Sequence, residues 1–410
     1  MTNNISNIKD VGSVIAKMGA GIFKDKCQYI KGITKETGLE GQVNGFNKGS
    51  TININVPAVF PTGTGASIAT SVQGVNERTV PLTLDTQRHV AVELTSQEIH
   101  DTLSLQSWAK RILVPAVNNL VQETEADILT RSMAQTGNTV GTAGASAFDT
   151  DMILESGEIL DSLAAPMDDD RKLLLYPKAN RLAVSARKGL FQSSEEISKQ
   201  YKKGYIGTAD GYDFLRNNLL PSHTNGSDVT GGLVAGAVAS GAATIAIDGL
   251  SGGATITKGS TFTIAGVFAV HPITKVKQEF LHQFVVAEDA TANGSGAVTL
   301  PIGQAIFDGT SVHQNIDVLP ADNAAVTFVG DADTTYRQGL AFCPSAARVA
   351  FAPLVKPDGV DMVGQESTDD GYSIRVIRDY DVTEDKLVMR LDILYGFTVV
   401  RPEWQVKLIG

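Results

Sequence analysis

The feature that most constrains this chain is a pair of alternating segments, separated by a long polar stretch, within residues 49–94. Residues 51–56 alternate apolar and polar side chains, as a half-buried strand does. A second alternating stretch places its apolar side chains on one side, at Val80, Leu82, Leu84, Val90, Val92 and Leu94. Residues 57–78 are rich in Gly, Thr, Ser and Pro, so we predict a long two-stranded hairpin with a flexible tip.

A hairpin of this length limits how the chain achieves stability. An isolated two-stranded hairpin is marginally stable in water. Residues 49–94 therefore predict support from another domain or from another copy of the chain. An ordinary hairpin within a sheet, carrying a long loop, explains the pattern equally well at this stage.

The remaining segments mix helices and strands. An apolar stripe with helical spacing runs from Leu113 to Ile128 and predicts a long helix over residues 105–134, kinked or restarted at Pro115. Residues 151–222 read as two helices around a short buried strand, and residues 345–350 are a helix candidate. The apolar alternation of residues 373–400 predicts closing sheet strands.

Residues 223–329, here called the β-rich segment, differ sharply in composition from their surroundings. They are filled with Gly, Ala, Thr and Val in short alternating runs, separated by turn signals such as Gly252-Gly253 and Asn293-Gly294. This pattern predicts a small β-barrel or sandwich. Because α/β patterns lie on both sides of it, we expect an inserted domain.

Composition excludes several classes of protein. The 410 residues carry a formal net charge of −11, which disfavours a dedicated nucleic-acid binder. The two cysteines, Cys27 and Cys343, are far apart, so we expect unpaired thiols in a reducing compartment. We expect no signal peptide, because residues 1–10 carry one Lys and the apolar stretch 11–23 is interrupted by Lys17. We expect no membrane association, because the uncharged runs at 49–76 and 229–247 lean on Gly, Ala, Ser, Thr and Val.

No motif in the sequence points to catalysis. None of the six histidines is spaced HxxH or HxxxH, and the sequence has no GxSxG elbow between a strand and a helix, no GxxxxGK[ST] loop and no GxGxxG after a strand. Acidic runs such as Asp168-Asp169-Asp170 lie beside turn residues, as solvated turns do. We therefore predict no enzyme, no catalytic or metal-binding residues and no cofactor.

Three ordered stretches carry a resemblance to a known family. They are Gly49 to Pro57 (GSTININVP), Gln73 to Asp85 (QGVNERTVPLTLD) and Val90 to Thr95 (VAVELT). This order resembles the major capsid proteins of tailed double-stranded DNA phages, and most of all the coat-protein family of short-tailed Salmonella phages. The stretch Lys258 to Val267 and the ending Leu394-Tyr395-Gly396 with Arg401-Pro402-Glu403 are similar to that family as well.

The resemblance implies an α+β tailed-phage capsid fold with an inserted small β-barrel domain. Its parts would be an N-terminal arm (1–35), an extended β-hairpin loop (36–95), a peripheral domain with a long spine helix (96–147), a first part of the axial α/β domain (148–222), the inserted β-barrel (223–329), and a second axial part with the peripheral closing strands (330–410).

It also implies a function and partners. Such proteins form pentamers and hexamers of an icosahedral shell around a scaffolding protein, include a portal protein, enclose double-stranded DNA without reading its sequence, and expand when DNA is packaged. The expected location is the virion, after assembly in the host bacterial cytoplasm. The hairpin residues proposed to contact neighbouring subunits are Ile52, Ile54, Glu77, Arg78 and Arg88. Solvated surface charge is the alternative explanation of the three charged ones.

One departure from the family and two other functions remain to be considered. Relatives carry a long charged loop near the start of the barrel, whereas residues 225–244 contain Asp228 as their only charge. An encapsulin-type compartment of the same fold is the first alternative function. A β-rich carbohydrate-binding protein or enzyme is the second, although the two Trp and nine Tyr do not cluster in the β-rich segment.

Overall fold

The structure is a computed structural model, and it describes fifteen residues or ranges to which every structural statement below refers. They are 21, 27–36, 48–57, 60, 78–95, 112, 114–145, 148–167, 170–187, 206–309, 311–355, 357, 359–360, 362–367 and 371–410. Most of the predicted N-terminal arm, the hairpin tip and Glu77 lie outside these ranges.

The described chain has few helices and many strands, which confirms the α+β class. The helices are α1 (Gln28–Gly32), α2 (Val114–Gln135), α3 (Thr150–Ser162) and α4 (Pro177–Ala186), with 3₁₀ turns at Pro344–Ala346 and Pro402–Trp404. The strands are β1 (Thr34–Lys35), β2 (Thr51–Val56), β3 (Arg78–Thr83), β4 (Thr86–Thr95), β5 (Thr139–Gly141), β6 (Lys172–Leu175), β7 (Thr208–Ala209), β8 (Tyr212–Arg216), β9 (Ser222–Thr224), β10 (Leu233–Val234), β11 (Thr244–Asp248), β12 (Thr255–Ile256), β13 (Thr261–Val270), β14 (Lys277–Val285), β15 (Ala290–Thr291), β16 (Val298–Pro301), β17 (Val326–Phe328), β18 (Thr335–Phe342), β19 (Ala347–Ala352), β20 (Met362–Ser367), β21 (Ser373–Asp381), β22 (Lys386–Val399) and β23 (Gln405–Ile409).

The chain divides into two compact units, each built from several stretches of sequence. Unit 1 comprises Met1–Ile54, Thr79–Ile128 and Ala347–Thr398. Unit 2 comprises Asn55–Arg78, Leu129–Ala346 and Val399–Gly410. The six sequence-based domain boundaries stay a prediction.

Unit 1 is organised around a six-stranded sheet. Its strands follow the order β1-β19-β22-β21-β20, and β4 also pairs with β22. Strand β22 is the longest at 14 residues, and residues 391–397 along it are all buried. The predicted strands at 373–378 and 387–400 are therefore confirmed, and they form the core of this sheet.

The prediction of a helix at residues 345–350 is wrong. Pro344–Ala346 forms a single 3₁₀ turn, and Ala347–Ala352 is strand β19 inside the sheet. Five of its six residues are buried, so its sequence lacks the alternation that marks a half-exposed strand. Alanine-rich apolar runs favour helix by intrinsic propensity, and pairing inside the sheet overrides that preference here.

The predicted hairpin is shorter in the structure than in the sequence pattern. Strand β3 pairs with β2, and these two strands are called the ribbon below. The chain turns at Asp85, whose backbone N–H donates to the Thr83 carbonyl at 3.0 Å. Strand β4 then runs antiparallel to β22, from Thr86 opposite Tyr395 to Thr95 opposite Lys386. Half of the alternating pattern is thus supported by the protein's own sheet.

Unit 2 contains a seven-stranded mixed sheet. Its order is β5-β23-β18-β6-β8-β7, with β9 also paired to β18. Helix α3 packs against β23 and β5, and helix α4 packs against β6. All five residues of β23 are buried. This confirms the α/β character expected for residues 151–222.

The β-rich segment has its own hydrophobic core within unit 2. Its strands form three small sheets, β10-β11-β16, β12-β15 and β14-β13-β17. Phe262 lies at the centre of the core, with ring centroids 5.4 Å from Phe284 and 5.3 Å from Phe328. The short alternating runs predicted as strands in this segment include β11, β13, β14, β16 and β17. Closure into a barrel stays a prediction.

Helix α2 is the described part of the predicted spine. Its described part runs from Val114 to Gln135 and includes Pro115, and residues 105–111 and 113 of the predicted helix lie outside the described ranges. Its 22 residues span about 33 Å. The predicted stripe is confirmed from Val117 onward, since Val117, Leu120, Val121, Thr124 and Ile128 are all buried, and its first residue, Leu113, lies outside the described residues. Among the described residues, no helix is both long and apolar enough to cross a membrane.

Candidate functional site

The ribbon carries most of the residues that sequence reasoning assigned to contacts between subunits. Thr51 and Thr83 face each other across its strands, with their hydroxyl oxygens 3.2 Å apart. Ile54 is buried within its own chain, Ile52 is half-buried and Arg78 is exposed. Glu77 lies outside the described residues. The contact role of these four residues stays a prediction.

Arg88 is held inside unit 1 by groups from a strand and a helix. Its Nε donates to the Tyr395 hydroxyl at 3.1 Å, and its Nη2 lies 3.3 Å from Asp127 Oδ1. Its Nη1 lies 3.4 Å from Glu123 Oε2. The Tyr395 hydroxyl donates to Asp127 Oδ2 at 2.8 Å, and burial raises the pKa of Tyr395. Arg88 thus ties β4 to α2, and its predicted contact with a neighbour would have to be made by a side chain already engaged here.

A second charged cluster lies on the other face of the same sheet. Asp392 is fully buried on β22, and both of its oxygens accept hydrogen bonds from arginines. Arg375 Nη2 donates to Oδ2 at 2.7 Å, and Arg390 Nε donates to Oδ1 at 2.7 Å. Arg375 also donates to the Val355 carbonyl. The carboxylate therefore holds two strands and the segment after β19 together.

The described part of the N-terminal arm is docked on helix α2 by Glu125. One carboxylate oxygen accepts the backbone N–H groups of Gln28 and Tyr29, each at 2.8 Å. These N–H groups belong to the first turn of α1, where no intrahelical acceptor is available. Glu125 and Cys27 are buried, and burial together with the Glu125 charge raises the pKa of the Cys27 thiol.

Replacing Glu125 with alanine is expected to expose Cys27 to thiol reagents. The loss of two charge-assisted hydrogen bonds should lower the free energy of local opening by about 2 kcal/mol, which is a roughly thirtyfold faster reaction. The measurement is the rate of Ellman's reagent labelling in a Cys343→Ser background. Glu123→Ala is the matched control, since Glu123 is exposed on the same helix. Equal labelling of the two variants would contradict the role given to Glu125.

The β-rich segment is anchored on the mixed sheet of unit 2 by polar groups. Lys407 of β23 is buried, and its Nζ donates to the Gly259 carbonyl at 2.9 Å. Gln283 Nε2 donates to the Thr139 carbonyl at 3.0 Å, and its Oε1 accepts the Thr139 N–H. The Thr139 and Thr261 hydroxyl oxygens lie 3.1 Å apart. These contacts fix the orientation of the β-rich segment on the sheet.

Burial dominates the electrostatics of this anchor. It lowers the pKa of Lys407 to about 7. It also lowers the pKa of His223 to about 4, and the nearby Lys407 charge acts in the same direction. His223 Nε2 lies 3.1 Å from the Ser260 hydroxyl oxygen. The charged form of Lys407 therefore destabilises the folded state, whereas the neutral form does not.

This cost predicts how stability depends on pH. The amine binds a proton below about pH 10.5 in the unfolded chain but only below about pH 7 in the folded one, so stability rises with pH between these values. The rise attributable to Lys407 should be about 2 kcal/mol between pH 7 and pH 9. Urea unfolding of wild type and Lys407→Met isolates it, because the variant should lack this part of the slope. Lys258→Met, at an exposed lysine, should keep it.

Sequence reasoning missed Asp392, Glu125 and Lys407. Asp392 lies between Leu391 and Ile393, and Lys407 lies between Val406 and Leu408, so each charge has apolar neighbours on both sides, a signal that marks a buried charge with a partner. Glu125 lies on the buried side of α2 among other acidic residues, and nothing in its local sequence distinguishes it. Within the described ranges, no group of three or more His, Cys, Asp or Glu side chains is arranged to hold a metal ion.

Comparisons with known proteins agree with one another. Residues 7–410 match the family described as "P22 coat protein - gene protein 5". The chain is 23% identical over 440 aligned positions to the major capsid protein of Acyrthosiphon pisum secondary endosymbiont phage 1, and all of both chains is covered.

Two solved structures align with most of this chain. The Mycobacterium phage Che8 structure is 14% identical, with a TM-score of 0.47 and coverage of 93% of this chain and 91% of that one. The virus-like particle from Pyrococcus furiosus is 9% identical, with a TM-score of 0.40 and coverage of 97% and 99%.

The family match over nearly the whole chain places this protein among the capsid proteins of tailed phages. Within that class, the chain belongs to the P22 coat protein family. It is a major capsid protein of a phage shell, with a structural role in the virion. The resemblance seen in the sequence is thereby confirmed.

Proposed function

We propose that this chain assembles with itself, as pentamers and hexamers, into an icosahedral shell. The family match over residues 7–410 is the observation that carries this proposal. The ribbon supports this proposal. Its two strands have six residues each, and a two-stranded hairpin of this kind gains stability when it packs on another surface, such as a neighbouring subunit. Modest contacts repeated around a closed shell give high collective stability.

The proposed assembly proceeds around a scaffolding protein and incorporates a portal protein. The particle then encloses double-stranded DNA and expands during packaging, with assembly in the host bacterial cytoplasm. The net charge of −11 supports enclosure without tight binding, since it repels the phosphate backbone. The division of the chain into two compact units supports expansion, because compact units can move as rigid bodies.

Electron microscopy of purified protein tests this proposal. The chain expressed with its scaffolding protein should yield particles of regular size, and mild heating of these particles should increase their diameter. Chains that stay monomeric under all assembly conditions would overturn the proposal. Particles that enclose a cargo enzyme encoded by an adjacent gene would favour an encapsulin-type compartment instead.

A further inference from the structure

A cleft with a volume of about 120 Å³ opens in unit 2 beside the end of the ribbon that leads into the hairpin tip. Its lining includes Val56, Pro57 and Arg78 together with Val270 and Val312 of the β-rich segment. The valines and the proline give it an apolar wall of a size that suits one or two side chains.

The charged groups that line this cleft are mainly positive. They are Arg78, Lys275 and Arg401, against the single carboxylate of Glu403 among the described lining residues. Arg401 Nη1 lies 3.4 Å from Glu403 Oε1, and Lys275 Nζ donates to the Val312 carbonyl at 2.8 Å. Arg78 is exposed at the rim. The cleft therefore favours an occupant that carries negative charge beside an apolar group.

The turn between β21 and β22 has that combination. Residues 379–385, here called the acidic turn, contain four carboxylates in seven residues, at Asp379, Asp381, Glu384 and Asp385. Val382 at its tip is 83% exposed, and Tyr380 is exposed as well. Asp381 Oδ1 accepts the Thr383 N–H at 2.8 Å, so the turn has a defined shape that presents Val382 outward.

Copies of a chain with a net charge of −11 repel one another, and a contact that sets negative groups against a local positive surface offsets this repulsion. Val382 stays 83% exposed when the rest of its own chain is present, so its own chain does not cover it. Rings of identical subunits use contacts between two different surfaces of the same chain. A complementary pair of surfaces on one chain thus suits a ring or shell.

We propose that the acidic turn of one copy docks in the cleft of a neighbouring copy. Val382 packs against the apolar wall near Val312, and the carboxylates face Arg78 and Lys275. This inference rests on the proposed assembly of the chain into a shell. It assigns Arg78 a specific partner surface and adds the acidic turn, which the sequence had not marked as a contact.

Disulfide trapping in assembled particles tests the proposed contact. Val382→Cys combined with Val312→Cys should give, on oxidation, covalent ladders of subunits in particles and none in unassembled protein. Both positions are exposed, at 83% and 41%, so the substitutions leave the fold intact. The natural cysteines are both buried and add little background. Ladder yield should exceed that of a mismatched pair at least about tenfold, since docking raises the effective thiol concentration.

Val382→Cys combined with Met167→Cys is the mismatched pair, because Met167 is 77% exposed in unit 2 and does not line the cleft. Particles without ladders, equal ladders in both pairs, or dimers of Val382→Cys alone would overturn this contact while leaving the shell function standing. Absence of particles from the wild type would instead count against the proposed function.

Discussion

Asp392→Ala is expected to lower the free energy of unfolding of the unassembled chain by about 3 kcal/mol. The carboxylate is fully buried and accepts hydrogen bonds from Arg375 and Arg390, both at 2.7 Å. Its removal leaves the mostly buried Arg375 guanidinium without its charge partner, and this desolvated cation is the main cost. Urea titration followed by circular dichroism measures the loss.

Two further variants test whether the loss comes from the buried position of Asp392 and not from the removal of any paired carboxylate. Asp392→Asn keeps the shape and one acceptor, so its loss should be smaller than that of Asp392→Ala. Glu93→Ala removes a carboxylate that is 66% exposed and 3.4 Å from Lys386 Nζ, and it should lower stability far less than Asp392→Ala does, because water screens this pair. If Asp392→Ala were as mild as Glu93→Ala, the buried cluster would not hold the sheet together.

Gly396→Ala is expected to destabilise unit 1 by about 3 kcal/mol and to reduce particle yield. A Cβ atom at this position of β22 would lie 2.4 Å from the Thr83 carbonyl oxygen and 2.8 Å from a Leu82 methyl. Thr83 ends β3, so the new methyl group would push the base of the ribbon off the sheet. A backbone oxygen cannot rotate away as a flexible side chain can.

Gly294→Ala is the matched control for this substitution. No heavy atom lies within 4 Å of a Cβ built at Gly294, so stability and particle yield should match wild type. Thermal unfolding and electron microscopy of both variants provide the comparison. A Gly396→Ala protein that unfolds and assembles like Gly294→Ala would show that the close approach of ribbon and sheet is unimportant.

Local pattern predicted the parts of this fold whose environment is one-sided. Strands β2, β11 and β17 alternate between more and less buried residues, and the apolar stripe of α2 lies on one face, so each gives a periodic signal in the sequence. Strand β19 is buried on both faces and reads as a helix for that reason. Its identity depends on neighbours in the sheet that no local window contains.

The charged anchors depended on tertiary structure in the same way. Glu125 meets the N–H groups of Gln28 and Tyr29 across almost 100 positions of sequence, and Lys407 meets the Gly259 carbonyl across 148. Arg88 binds Asp127 and Tyr395 of its own chain, which its local sequence did not indicate, and its contact with a neighbouring subunit stays a prediction. Residue type alone shows that a side chain is charged, but it does not show which group it binds in the folded protein.

The pairing of β4 with β22 has a consequence for synthesis on the ribosome. Gln87 lies opposite Leu394, so more than 300 residues must be translated between the two strands. At about 5–20 residues per second this takes roughly 15 to 60 s. During that time β4 is out of the exit tunnel without its sheet partner, so unit 1 stays incomplete until β22 has been translated and has left the tunnel. The emergence of β22 therefore sets when unit 1 can finish folding.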